Sequence, residues 1–112
     1  MNQNHLKSLL REEVEELTLL LRRADDWGDL RQALISQGLH PEEVLLAAFH
    51  EDGDQSEHGV FVTNDRRVFE YERTTHQGAE LRFSAWQERT GEEQFARDNP
   101  QIDEALALIS NA

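Results

Sequence analysis

Cysteine is missing from all 112 residues, which excludes a disulfide framework, a thiolate metal site and a cysteine nucleophile together. Lysine is nearly missing too. Lys7 is the only one among eleven basic residues, and the rest are arginines, whose planar fork suits fixed pairs with carboxylates. Arg22, Arg23, Arg66, Arg67 and Arg82 are the candidates for such pairs. There is no long apolar run: the longest, Val44 to Phe49, is far too short to span a bilayer. Met1 is followed by Asn2, Gln3, Asn4 and His5, so no secretory signal is expected. A soluble protein of the cytoplasm, with no membrane contact, is the expectation.

Positive charge is also absent locally. Between Arg31 and Arg66 no lysine or arginine occurs, while Glu42, Glu43, Glu51, Asp52, Asp54, Glu57 and Asp65 all fall in the gap. The formal net charge is −12, so the field of this stretch disfavours direct contact with nucleic acid and favours a basic protein.

What is present is periodic. One domain over residues 1–112 is expected, long enough for a single core. Leu6, Leu9, Leu10, Val14, Leu17, Leu20, Leu21 and Ala24 recur at spacings of three and four, which predicts an amphipathic helix over about 5–24. Asp25 or Asp26 reads as the cap of a second helix over about 26–37, with Leu30, Ala33 and Leu34 inward and Gly38 closing it. Pro41, followed by Glu42 and Glu43, predicts a third helix over about 41–50 with Val44, Leu45, Ala48 and Phe49 on its inner face. The segment from Glu51 to His58 reads as an exposed polar loop.

Beyond that loop the period changes to two. Strands are expected at about 59–63, 68–74 and 80–88, joined by short turns into an antiparallel meander. Alternation places Val60, Val62, Phe69, Tyr71, Leu81, Phe83 and Ala85 on one face and Phe61, Val68 and Trp86 on the other. Thr90 to Glu93 has capping-box spacing and predicts a helix over about 91–98, and Asn99-Pro100 opens a last one over about 100–110. The fold class is α+β.

No motif carries a specific reaction. The serines lack a nucleophile-elbow context, no glycine-rich phosphate loop precedes a helix, and Glu70 and Glu72 on one strand face are read as partners of Arg82. His50, Glu51, Asp52, Asp54, Glu57 and His58 form the densest set of metal-ligand types. Aligned on an EF-hand, however, they put Glu57 where glycine is needed and Thr63 where glutamate is needed. No metal, cofactor or catalytic residue is assigned.

The expected function is a non-enzymatic protein-binding module, immunity-type or inhibitor-like, offering carboxylates to a basic partner. Glu42, Glu43, Glu51, Asp52, Asp54 and Glu57 are its candidate contacts, with Phe61 and Trp86 as apolar anchors. The hairpin from Gly59 to Arg73 resembles, in its turn and strand chemistry, hairpins of several small bacterial immunity and regulatory proteins, which agrees with this reading. Two alternatives stand beside it. One is a metal-binding protein or metal-dependent enzyme using the His50–His58 loop, and the other is a structural homo-oligomer pairing through the wide leucine face of the first helix.

Overall fold

In the computed structural model the described residues are 3–53, 56–75, 82–89 and 98–110. Helix α1 runs over Gln3–Arg23 and, after a 3-10 turn at Asp25–Trp27, α2 over Gly28–Ser36. A second 3-10 turn, Pro41–Glu43, leads into four strands: β1 Val44–Asp52, β2 Ser56–Thr63, β3 Val68–Thr74 and β4 Arg82–Glu88. Helix α3, Gln101–Ser110, is the last described element. The strands form one antiparallel sheet in the order β1-β2-β3-β4, so the fold is α+β.

The largest departure from the sequence reading is at 41–50. Pro41 starts only a single 3-10 turn, and Val44 to Asp52 is a strand, which makes the sheet four-stranded rather than three-stranded. The physical reason is that the first six residues of β1 pack into cores on both faces of the sheet. Val44 and Leu46 enter one core and Ala47 the other, which makes the run continuously apolar and hides its alternation. A bulge at Ala47, between the Leu46–Phe61 and Ala48–Val60 pairs, also breaks the two-residue period. The expected helix at 91–98 lies outside the described residues except for its last position.

Register corrects the expected faces as well. Phe61 stands opposite Phe69, Val62 opposite Val68 and Tyr71 opposite Trp86. Phe61, Phe69, Tyr71 and Trp86 therefore share one face, with Val60, Val62 and Val68 on the other. The turn decides this. Thr63 to Arg67 is closed by Arg66 N–H donating to Thr63 O and Thr63 N–H donating to Arg67 O, with Arg66 at φ 68° in the left-handed region. One extra residue in such a turn would move every β3 side chain to the opposite face.

Each face carries a core. On the aromatic face, Leu21 of α1 and Leu30 and Leu34 of α2 pack with Val44, Leu46, Phe61 and Tyr71, and Trp27 lies against Phe49 at 4.7 Å between ring centres. On the aliphatic face, Ile102 and Ala105 of α3 join Val14, Ala47, Val60 and Val62. Helix α2 ends as its sequence implied: Gly38, at φ 84°, donates to Ile35 O, and Leu39 N–H donates to Leu34 O. No side-chain cap hydrogen bond forms at its start, and the position before it is Trp27 rather than an aspartate.

Helix α1 lies along the β1 edge of the sheet, reaching both cores. Leu46 N–H donates to Thr18 Oγ1 at 3.0 Å, and the Arg22 guanidinium donates to Val44 O at 3.0 Å and Pro41 O at 3.1 Å. These bonds occupy edge groups that would otherwise be available to a foreign strand.

Candidate functional site

The seven carboxylates of the basic-free stretch do not form one surface. Glu42 and Glu43 sit in the 3-10 turn before β1, and Glu51 and Asp52 are at the strand's other end, about 25 Å away at the usual rise of a strand. Glu42, Glu43 and Glu51 are exposed, and Glu42 stands 3.8 Å from the Arg22 guanidinium. Asp54 lies outside the described residues. Within the exposed loop expected at 51–58, Glu51 and Asp52 belong to β1 and pair with Glu57 and Ser56 of β2.

Two of the candidate contacts prove to be interior. Phe61 is fully buried, stacked on Tyr71 at 5.1 Å between ring centres, so it cannot act as an anchor for a partner. Glu57 is 5% exposed and accepts hydrogen bonds from Arg73 Nη2 and from the Tyr71 hydroxyl, the latter at 2.9 Å. In the sequence Glu57 looks solvent-facing because apolar alternation begins only at Gly59. Once β2 begins at Ser56, Glu57 faces inward beside Arg73, its register partner on β3. Trp86 is half-buried against Phe61, Phe69 and Phe83, at 6.3, 5.3 and 5.0 Å between ring centres.

The buried trio has a consequence for pH. Burial, followed by the Glu57 charge and the hydrogen bond to it, holds the Tyr71 phenol well above its ordinary pKa. In the unfolded chain the phenol ionises near its ordinary value of about 10, whereas the folded protein retains the proton. Stability from this group is therefore complete below about pH 10 and is lost as pH rises beyond it, by about 1.4 kcal/mol per pH unit. Urea midpoints measured through this range should fall more steeply for the native chain than for Tyr71→Phe. Tyr71 is the only tyrosine, so tyrosinate absorbance reports the same event directly. Parallel slopes in the two proteins would contradict the burial argument.

The exposed surface with the most pronounced chemistry is on α1. Among the described residues the exposed large hydrophobic side chains are Leu6, Leu9, Leu19, Leu20 and Ile35, and all but the last belong to this helix. Leu6, Leu9, Glu13, Glu16 and Leu20 follow spacings of three and four and are all exposed, so they form a second seam, distinct from the buried Val14, Thr18 and Leu21. Glu12 and Glu15 flank it. The seam is apolar at its ends and acidic at its centre. Its signal in the sequence was the surplus of leucines over what one buried stripe takes up.

The arginines are largely used inside the molecule. Arg11 pairs with Glu104 at 2.6 Å, Arg67 with Glu88 at 2.7 Å, Arg89 with Glu70 at 2.7 Å, and Arg73 with Glu57. Arg31 donates to Leu21 O and Ala24 O, capping the end of α1. The expected pairing of Glu70 and Glu72 with Arg82 is not what forms: Glu70 takes Arg89, and Glu72 accepts from the Ser84 hydroxyl at 3.0 Å. Among the described residues, no ion pair engages Glu12, Glu13, Glu15 or Glu16.

On the aliphatic face of the sheet, beyond the part covered by α3, His50 and His58 stand opposite each other on β1 and β2 with ring centres 5.0 Å apart. They line a cavity of about 290 Å³ together with Glu13, Glu70, Asn99 and Gln101. Among the described residues no three histidine, aspartate or glutamate side chains converge as a closed metal centre requires. No described helix is long and apolar enough to cross a membrane. Comparison with protein-family models, with curated proteins and with solved structures finds no match for this chain.

Proposed function

We propose that this chain is a non-enzymatic protein-binding module that docks a basic amphipathic helix on the outward seam of α1. The observation that carries the reading is the seam itself: Leu6, Leu9 and Leu20 exposed in coiled-coil spacing around Glu13 and Glu16, on a protein of formal net charge −12. Because so many arginines are bound internally, the carboxylates of α1 meet solvent uncompensated and draw in a positive partner from a distance. Leucines at the seam ends then supply the apolar contact that charge alone lacks.

The partner helix that fits has apolar residues at both ends of its seam and arginine or lysine at the centre. A second copy of α1 fits poorly, since an antiparallel pair centred on the seam would bring Glu13 and Glu16 against their own counterparts. The absence of cysteine is compatible with action in the reducing cytoplasm.

A synthetic helical peptide with leucines at the seam ends and arginines at its centre is the direct probe. It should bind the native chain at low salt, weaken steeply as salt rises, and bind Glu12→Lys/Glu16→Lys at least about tenfold less tightly. Equal affinity for both proteins would remove the reading. Light scattering that shows a dimer lost on Leu9→Ser/Leu20→Ser would replace it with self-association.

A further inference from the structure

We propose that the His50–His58 pair is an open binding site for a divalent transition-metal ion of the zinc, nickel and copper class. Neither histidine has helical ligand spacing, and the pair exists only because β1 and β2 are in register, which places the two residues directly opposite each other. Their ring centres are 5.0 Å apart with the planes tilted by 44°. With ion–nitrogen bonds of about 2 Å, two imidazoles on one tetrahedral ion have their ring centres about 5 Å apart. The backbone thus already holds the rings at the separation that shared coordination needs, and both side chains are exposed enough for an ion to reach them.

The surroundings select charge and ion class. Glu72 is the register partner of His58 on β3, and Glu13, which no ion pair engages among the described residues, lines the adjoining cavity, so the site lies in a negative field that attracts a dication. Imidazole nitrogen favours borderline ions over calcium or magnesium, which seek several oxygens. As no third protein ligand converges there among the described residues, the ion keeps solvent in its remaining positions. The site is therefore weaker than a structural zinc centre, with affinity in the micromolar range. A bound ion ties β1 to β2.

The test uses untagged, metal-free protein. Calorimetric titration with nickel or zinc should show one ion per chain. Tm should rise by about 5 °C at a tenfold excess over the dissociation constant, while calcium gives neither response. His50→Gln and His58→Gln should each abolish the binding and the shift, and His40→Gln, in the loop before Pro41, should keep both. In the native chain the imidazole resonances of His50 and His58 should move together on adding zinc. No heat and no Tm shift with either metal would overturn the proposal, as would binding that survives both histidine substitutions.

Discussion

Phe61→Ala should lower the stability of the folded chain by about 3–5 kcal/mol, a fall of roughly 12–20 °C in Tm for a domain of this size. Phe61 is fully buried at the point where β2 meets both neighbours, opposite Leu46 on one side and Phe69 on the other. Its ring stacks on Tyr71 and lies 6.3 Å from Trp86, while Leu21, Leu30 and Leu34 of the helices belong to the same cluster. Truncation removes the apolar transfer energy and leaves a cavity that two helices and three strands would have to collapse together to fill. Urea unfolding followed by Trp fluorescence measures the loss. A change within about 0.5 kcal/mol, the usual range for a surface residue, would mean that Phe61 is an exposed contact instead.

Arg73→Met should be nearly as damaging, at about 3–5 kcal/mol, for an electrostatic reason. Arg73 and Glu57 are each about 5% exposed, and the guanidinium already has one buried N–H, at Nε, with no partner. Removing the arginine leaves the Glu57 carboxylate inside the protein with the Tyr71 hydroxyl as its remaining bond. The cost is that of an uncompensated buried charge rather than of the lost pair itself. Glu57→Gln/Arg73→Met should therefore recover at least about 2 kcal/mol relative to Arg73→Met, because the glutamine carbonyl still accepts from Tyr71 and carries no charge. Additive losses in this double-mutant cycle would show that the pair is not electrostatically coupled.

Gly59 illustrates how closely the sheet is packed around this trio. A Cβ placed there would stand 2.7 Å from Ala48 O and 2.8 Å from the Tyr71 ring. Tyr71 is the register partner of Gly59, and its ring lies across the glycine, so one strand supplies an aromatic where its neighbour supplies no side chain. The missing side chain at position 59 is thus part of what buries the Tyr71 phenol and, with it, Glu57.

Much of the architecture was legible in the sequence. The three-and-four spacing of leucines located α1, Gly38 marked the end of α2, and Asn99-Pro100 marked the start of α3. Alternation located β2 and β3, and β4 agrees with its expected span over the described positions. Strand β1 was not legible, because a short apolar run buried on both sides satisfies helical and extended periodicity equally well. The site was legible in its charge and in the surplus of leucines on the first helix. Glu42, Glu43 and Glu51 do face solvent, but Glu57 was lost to the interior once β2 proved longer than its apolar core.

By itself, then, the sequence determined the sign of the surface, the absence of thiol chemistry and the elements whose periodicity exceeds two turns or one strand pair. These are local properties, set by residue type and spacing along a few consecutive residues. Only the tertiary structure decided that Val44 to Asp52 is a strand, that the acidic stretch is divided between its two ends, and that Glu57 and Phe61 belong inside. It likewise set His50 against His58 and left the Leu6 to Leu20 seam of α1 uncovered. Each depends on pairing register and on which neighbour fills a given face, and those are settled by contacts between residues distant in the chain.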